Sequence, residues 1–160
     1  MAHEIGDGLI ALGAPAGGFS TCLVGVNGTV LDEGETVESP RVREAAGPLV
    51  AVAYHSACAR DRESVKRRPN GEAWLASVEA LPERVRHLSV HRGHAKEISN
   101  GHDKLADLSI AKRVSFTGTA DELRDRLDGL ESGGATGVIL GTSGAGMERE
   151  MRAFAKVAGT

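Results

Sequence analysis

The chain has 160 residues, of which 41% are apolar and 3% aromatic, and its 19 basic and 22 acidic side chains leave a formal net charge of −3. This length suffices for one domain with a hydrophobic core, but it is short of the roughly 200 residues that a complete eight-stranded α/β barrel needs. The weak negative charge and the few aromatic rings argue against nucleic-acid binding. No stretch approaches the ~18 consecutive apolar residues of a membrane span, which argues against a membrane protein. We therefore expect a single cytoplasmic domain over residues 1–160, with no nucleic-acid or membrane partner.

The N-terminal part of the chain predicts short strands separated by glycine-rich turns. The apolar runs 8–12 and 21–26 are each bounded by turn residues, which is typical of buried strands. Residues 27–28 are Asn-Gly, the pair typical of a tight hairpin turn, so we expect 29–31 to fold back on the preceding strand. An acidic loop over 32–39 follows.

The middle of the chain predicts helices. Periodicity alone does not distinguish helix from strand in the apolar run 45–59, but its alanine content and its length favour a helix. Residues 72–81 carry their apolar side chains at helical spacing, and Pro82 begins a further short helix through Leu88.

The last third predicts a β-α-β-α unit. Residues 113–116 have the composition of a short strand, and Thr119 with Glu122 forms a capping box at the start of a helix. A buried strand over 138–140 and an amphipathic helix over 147–158 follow. Successive units of this kind form parallel sheets.

Two loops in this unit have the composition of an anion site. Residues 141–144 join a strand to a helix N-terminus, where backbone amides, small side chains and the helix dipole favour a negatively charged group. In α/β barrels the loops after the last two strands often bind phosphate. The candidate cofactor-binding residues are therefore Thr117, Gly118, Gly141, Thr142, Ser143 and Gly144. The alternative is an ordinary strand-to-helix turn, since the loop matches neither a Walker A nor a dinucleotide fingerprint.

Four of the six histidines lie close together in the sequence: His87, His91, His94 and His102. We take His91 and His94 as the candidates for an active-site role, in anion binding or proton relay, with exposed or capping histidines as the alternative. Their spacing resembles a metal pair only superficially, because there is no HExxH pattern and Gly93 weakens a helix between them, so we predict no metal site. His55 lies in the apolar run and is expected to be a core residue.

Several of these segments resemble the luciferase-like monooxygenase superfamily. Residues 117–140 are similar to the closing βαβ unit of that superfamily, and residues 2–10 resemble the point where its members enter their sixth barrel strand. Three further segments resemble the subgroup that depends on coenzyme F420, a deazaflavin: residues 28–35, residues 40–48 with 53–55, and residues 86–94.

The resemblance implies an α/β fold, a partial (β/α) TIM-type barrel with parallel strands and a C-terminal β-α-β-α unit. It also implies an oxidoreductase that transfers a hydride between coenzyme F420 and a small organic substrate, with flavin mononucleotide (FMN) as the alternative cofactor. The loop 141–144 would then hold the cofactor tail or a substrate anion, and His91 and His94 would lie at the pocket mouth.

The resemblance covers only the C-terminal half of such a barrel, because the first five strands have no counterpart in these 160 residues. A sheet cut from a barrel has unpaired edges and an uncovered apolar face. We therefore expect a homo-oligomer or a complementary N-terminal half-barrel chain as partner. The alternative is a noncatalytic flavin- or phosphate-binding module, or an assembly partner derived from that fold.

Overall fold

In the computed structural model, which describes residues 5–98 and 101–159, three apolar runs form a parallel sheet. The strands are β1 (Gly8–Leu12), β2 (Thr21–Asn27) and β3 (Gly137–Gly141), and their order in the sheet is β1-β2-β3. The predicted strands at 8–12, 21–26 and 138–140 are confirmed, but the expected burial of β1 and β3 is wrong: every residue of these two strands is exposed or half-buried. The fold is thus mixed α/β with a parallel sheet.

Seven α-helices lie in the described residues. They are α1 (Pro40–Arg60), α2 (Arg62–Lys66), α3 (Gly71–Glu79), α4 (Glu83–Val90), α5 (Ala111–Val114), α6 (Ala120–Ser132) and α7 (Met147–Ala158), with short 3-10 turns at Asp103–Leu105 and Leu108–Ile110. The predicted helices at 45–59, 72–81, 82–88 and 147–158 are confirmed. None of the described helices has both the length and the apolar character needed to cross a membrane.

The predicted hairpin after β2 is wrong. The chain continues past Asn27 in an extended path, and Val30 forms a parallel bridge with Gly118. The amide of Phe116 donates to the Asn27 carbonyl at 2.7 Å. Gly28 allows this close approach, since a Cβ there would lie 2.2 Å from the Phe116 carbonyl oxygen. Long-range backbone pairing therefore prevails over the local turn preference of Asn-Gly.

The predicted strand at 113–116 is also wrong. Residues 113 and 114 belong to α5, which ends where the amide of Ser115 donates to the Ala111 carbonyl at 2.9 Å, and residues 115 and 116 form a bend. Backbone hydrogen bonds join 116–118 to 27–31, while β3 pairs with β2. In the described residues the last two predicted strands are therefore not direct neighbours.

The capping box at the start of α6 is confirmed. The Thr119 hydroxyl accepts from the Glu122 amide at 3.3 Å, and the Glu122 carboxylate accepts from the Thr119 amide at 2.8 Å. These two bonds satisfy donors that a helix N-terminus otherwise leaves unpaired. The α6-β3-α7 part of the predicted unit is present.

Buried apolar side chains form two separate cores. The helical region (31–114) has a core around Tyr54 and Trp74, which are both fully buried. The sheet region (8–30 and 115–158) has a core in which α6 and α7 pack on one face of the sheet. From the strands, that core contains Leu9, Ala11, Cys22, Val24, Val26, Val138 and Leu140.

The opposite face of the sheet is apolar but uncovered. Ile10 is 66% exposed, Leu12 is 86% exposed and Ile139 is 43% exposed. In the strand register, Ile10 pairs with Leu23 and Ile139 pairs with Gly25. Leu23 and Gly25 are two residues apart on β2, so Ile10 and Ile139 project from the same face. The sheet thus has two apolar faces, and the described residues cover one of them with helices.

A buried carboxylate joins the two regions. Glu150 of α7 is 3% exposed, and it accepts from Arg41 of α1 at 2.8 Å and from the Thr29 hydroxyl at 2.6 Å. Arg41 also binds Glu35, and these hydrogen bonds lower the pKa of Glu35 to about 2. Because Glu150 is paired and hydrogen-bonded, its charge is compatible with burial.

Candidate functional sites

The two predicted anion-binding loops meet at the carboxyl end of β2. Gly141 is beside Asn27 in the register of β2 and β3, and the Asn27 carbonyl also accepts from the amide of Phe116. This is the edge of a parallel sheet where α/β proteins bind ligands. The structure therefore brings Thr117 and Gly118 into the same neighbourhood as Gly141.

Thr117 and Gly118 use their polar groups within the protein. Thr117 is 1% exposed, and its hydroxyl is 2.7 Å from that of Ser115. The Gly118 amide donates to the Thr29 carbonyl at 3.3 Å, and the Gly118 carbonyl accepts from the Leu31 amide at 2.8 Å. The backbone of Gly118 thus joins the segment 116–118 to the segment that follows β2.

The glycine-rich loop holds the segment that follows His94. The Ser143 hydroxyl donates to the Ala95 carbonyl at 2.7 Å, and the Gly144 amide donates to the Lys96 carbonyl at 2.9 Å. Gly144 has φ +74°, and a Cβ there would meet the Glu44 carbonyl at 2.9 Å. Two donors predicted for an anion are thus engaged with the protein, while Gly141 and Thr142 are half-buried at the loop's start.

A cleft of about 730 Å³ lies between the uncovered face of the sheet and α1. Its walls include Leu12 and Gly25 from the sheet and Val52 from α1. Four arginines line it as well: Arg60, Arg68, Arg113 and Arg126. The cleft thus combines apolar walls with positive charge near the carboxyl ends of β1 and β2. The glycine-rich loop does not line it. The cleft was not predicted from the sequence, because its residues come from six separate segments of the chain.

Three histidines converge in the helical region. His91 ends α4 and His94 lies in the turn that follows, and the Nδ1 atoms of these two residues are 3.2 Å apart. His55 of α1 places its own Nδ1 3.3 Å from that of His94. His55 is buried as predicted, whereas His91 and His94 are exposed at the outer side of the cluster.

A second layer of polar groups lies behind His55. Its Nε2 is 2.8 Å from Oδ1 of Asp103, and Nε2 of His102 is 3.6 Å from the same oxygen. Asp103 and His102 are 3% and 4% exposed. The Trp74 ring packs 5.7 Å from His55 and 6.0 Å from His102, between ring centroids. The polar groups of this layer are therefore shielded from solvent.

The surroundings of two of these histidines favour the uncharged imidazole. Partial burial lowers the pKa of His94 below its ordinary value, and its proximity to His55 and His91 lowers it further. Burial also lowers the pKa of His102. A neutral imidazole keeps a lone pair on one ring nitrogen, which suits it to accept a proton or to bind a metal ion.

Sequence reasoning found part of this cluster. His91 and His94 were candidates from their spacing, and the structure brings them together. His55 was expected to be a core residue alone, since it lies 39 positions from His94 and no local pattern connects the two.

No family model, curated protein or solved structure matches this chain. The geometry of the sites is therefore the guide to function.

Proposed function

We propose that this chain forms part of a coenzyme F420-dependent oxidoreductase of the luciferase-like kind, with FMN as the alternative cofactor. The proposed reaction is hydride transfer between the cofactor and a small organic substrate. One observation carries the proposal: an apolar cleft rimmed by arginines lies between the uncovered face of the sheet and α1.

The two-faced sheet supports a partial barrel. In a (β/α) barrel, helices cover the outer face of each strand, and side chains from other strands fill the inner face. Ile10, Leu12 and Ile139 are the apolar residues that such an interior would require. The sheet order β1-β2-β3 is consecutive along the chain, as strands are in a barrel, but the strand expected at 113–116 is not among the three.

The residues of the cleft fit a flat cofactor with an anionic tail. Leu12 and Val52 offer apolar contact for a ring system, and closure of the cleft would exclude water from the reacting carbon. Arg60 and Arg113 are exposed and offer charged donors to a phosphate. When bound, the deazaflavin supplies the hydride chemistry, and this chain supplies position and charge.

A fluorescence titration of the purified chain with coenzyme F420, and separately with FMN, tests the proposal. We expect saturable binding near ~1 μM, about −8 kcal/mol. Arg113→Ala and Arg60→Ala should each weaken binding about 10-fold or more, because each removes a charged hydrogen-bond donor. Arg84→Ala changes an exposed arginine on α4 that does not line the cleft, and it should bind normally.

The predicted loop has its own test. Thr142→Asp adds a negative charge at a half-buried position and leaves the bonds of Ser143 and Gly144 in place. Weaker cofactor binding by this variant supports loop contact with the cofactor tail. Unchanged affinity in Thr142→Asp assigns cofactor binding to the arginine cleft alone. If the wild-type chain binds neither cofactor, the oxidoreductase proposal is rejected.

The exposed face of β1 favours a second candidate, a noncatalytic assembly partner. Leu12 and Ile10 project from the outer strand of the sheet, where a second copy or a complementary half-barrel would cover them. Light scattering at rising concentration distinguishes the two candidates when read with the cofactor titration. Association without cofactor binding supports the assembly partner.

A further inference from the structure

The histidine cluster has the geometry of a metal site. Zinc binds imidazole nitrogen at about 2.0–2.1 Å, so two ligands of a tetrahedral site lie about 3.3–3.4 Å apart. The two contacts of the His94 Nδ1, with His55 at 3.3 Å and with His91 at 3.2 Å, are close to this separation. One ring nitrogen from each of the three residues lies within 4.8 Å of the other two.

Hydrogen bonding between the rings accounts for the cluster less well. A neutral imidazole has one N–H, and the His94 Nδ1 faces two other Nδ1 atoms. A linear N–H···N bond satisfies one of these two contacts and leaves the other unexplained. A cation placed between the three nitrogens accounts for both.

Asp103 prepares His55 for this role. Its carboxylate accepts hydrogen bonds, so the hydrogen of the His55 ring lies on Nε2, 2.8 Å from Oδ1 of Asp103. The lone pair of His55 is then on Nδ1, the atom that faces His94. A carboxylate behind a histidine ligand is the arrangement that orients histidines at zinc sites.

The turn that carries His94 is hydrogen-bonded to the glycine-rich loop. Gly93 has φ +73° and Ala95 has φ +58°, and a positive φ is costly for alanine. The Ala95 carbonyl accepts from Ser143, and the Lys96 carbonyl accepts from Gly144. The glycine-rich loop thus fixes the position of His94, while the exposure of His91 and His94 leaves a path for an ion from solvent.

We propose that His55, His91 and His94 bind a divalent transition-metal ion, with Asp103 orienting His55, and that zinc fits these three imidazoles. Three protein ligands leave a fourth coordination position for water or another small ligand. The proposal replaces the expectation from the sequence that there is no metal site. That expectation was based on the spacing of His91 and His94 within one helix and did not include His55. It is independent of the cofactor proposal, because no flavin or deazaflavin takes part.

Calorimetric titration of the chain with zinc chloride, without any flavin, tests the site. We expect one zinc ion per chain with a Kd of ~1 μM or tighter. His94→Ala and His91→Ala each remove an exposed ligand and should weaken binding at least about 100-fold, and Asp103→Asn should weaken it about 10-fold or more. His87→Ala is the matched control: it changes an exposed histidine of α4 outside the cluster.

Cobalt substitution gives an independent readout. Cobalt(II) in a tetrahedral site absorbs visible light strongly, and we expect this absorption in the wild type and in His87→Ala but not in His94→Ala. Circular dichroism checks that each variant is folded. No saturable zinc binding by the wild type, or equal affinity in His94→Ala and His87→Ala, overturns the proposal.

Discussion

The helical region and the sheet region enclose their apolar residues in different ways. The helical region surrounds Trp74 and Tyr54 completely, so that neither side chain is exposed. The sheet region covers one face of its strands with α6 and α7 and leaves Leu12 86% exposed on the other. Stability of the isolated chain should therefore depend on the helical core, while the open face of the sheet is available for a ligand or a partner.

The two candidate sites follow the same division. The arginine-rimmed cleft lies where the sheet is open, and the histidine cluster lies where the helices are closed around Trp74. A cofactor with a ring system needs a cleft such as the first. A small cation needs a few ligands held close together, as in the histidine cluster. Arg41 and Glu150 connect the two regions, so a change at this pair should affect both of them.

Removing the centre of the helical core should have the largest effect. Trp74→Ala deletes a fully buried ring that packs against Tyr54 and His55, and we expect a loss of about 4 kcal/mol in the free energy of unfolding. Urea denaturation followed by circular dichroism measures it. Leu88→Ala, at a position 64% exposed, is the control and should lose little. Equal losses in the two variants would contradict the closed helical core.

Breaking the connection between the regions should have the next largest effect. Glu150→Ala leaves Arg41 and the Thr29 hydroxyl without their buried partner, and we expect a loss of about 3 kcal/mol. Thermal and urea unfolding should also become less cooperative. Glu148→Ala is the control on the same helix, because the Glu148 pair with Arg152 is exposed and contributes little. Wild-type stability of Glu150→Ala would show that the two regions are not coupled through this carboxylate.

Acid should weaken the Glu35–Arg41 pair, which lies beside this connection, and the effect on stability should be smaller. The pKa of Glu35 falls from 4.5 to about 2 in the folded chain, chiefly through hydrogen bonds from Arg41. The contribution of Glu35 to the free energy of unfolding is therefore complete above pH 4.5 and is lost as the pH falls from there toward 2. Unfolding curves between pH 6 and pH 2 should show a smaller decline in Glu35→Gln than in the wild type. Parallel declines would exclude Glu35 as a source of acid sensitivity.

Changing the open face of the sheet should have the smallest effect on stability. Ile10→Ser and Leu12→Ser alter exposed side chains, so the free energy of unfolding at low concentration should change by less than about 0.5 kcal/mol. The same variants should reduce self-association in light scattering and binding of a hydrophobic dye. Val24→Ser on the covered face is the contrast and should be strongly destabilising, because Val24 is fully buried. A large loss in Leu12→Ser would show that its face is already buried.

The sequence by itself determined the elements that depend on local signals. The apolar runs at 8–12 and 138–140 are strands, and the capping box of Thr119 and Glu122 begins a helix as predicted. Each of these signals depends on interactions within a few residues or on burial of a continuous apolar run, and both are visible in a single sequence.

Tertiary structure decided the path of the chain at 27–31, the helical state of 113–114 and the composition of both sites. Asn27 extends β2 because it pairs with Gly141 of β3, and its carbonyl accepts from the amide of Phe116. His55 joins His94 across 39 positions. The polar groups of Ser143 and Gly144 bind the turn beyond His94, although their composition resembles an anion loop. In each case a contact between distant segments prevails over a local preference, because long-range pairing and burial contribute more free energy than a turn or strand propensity.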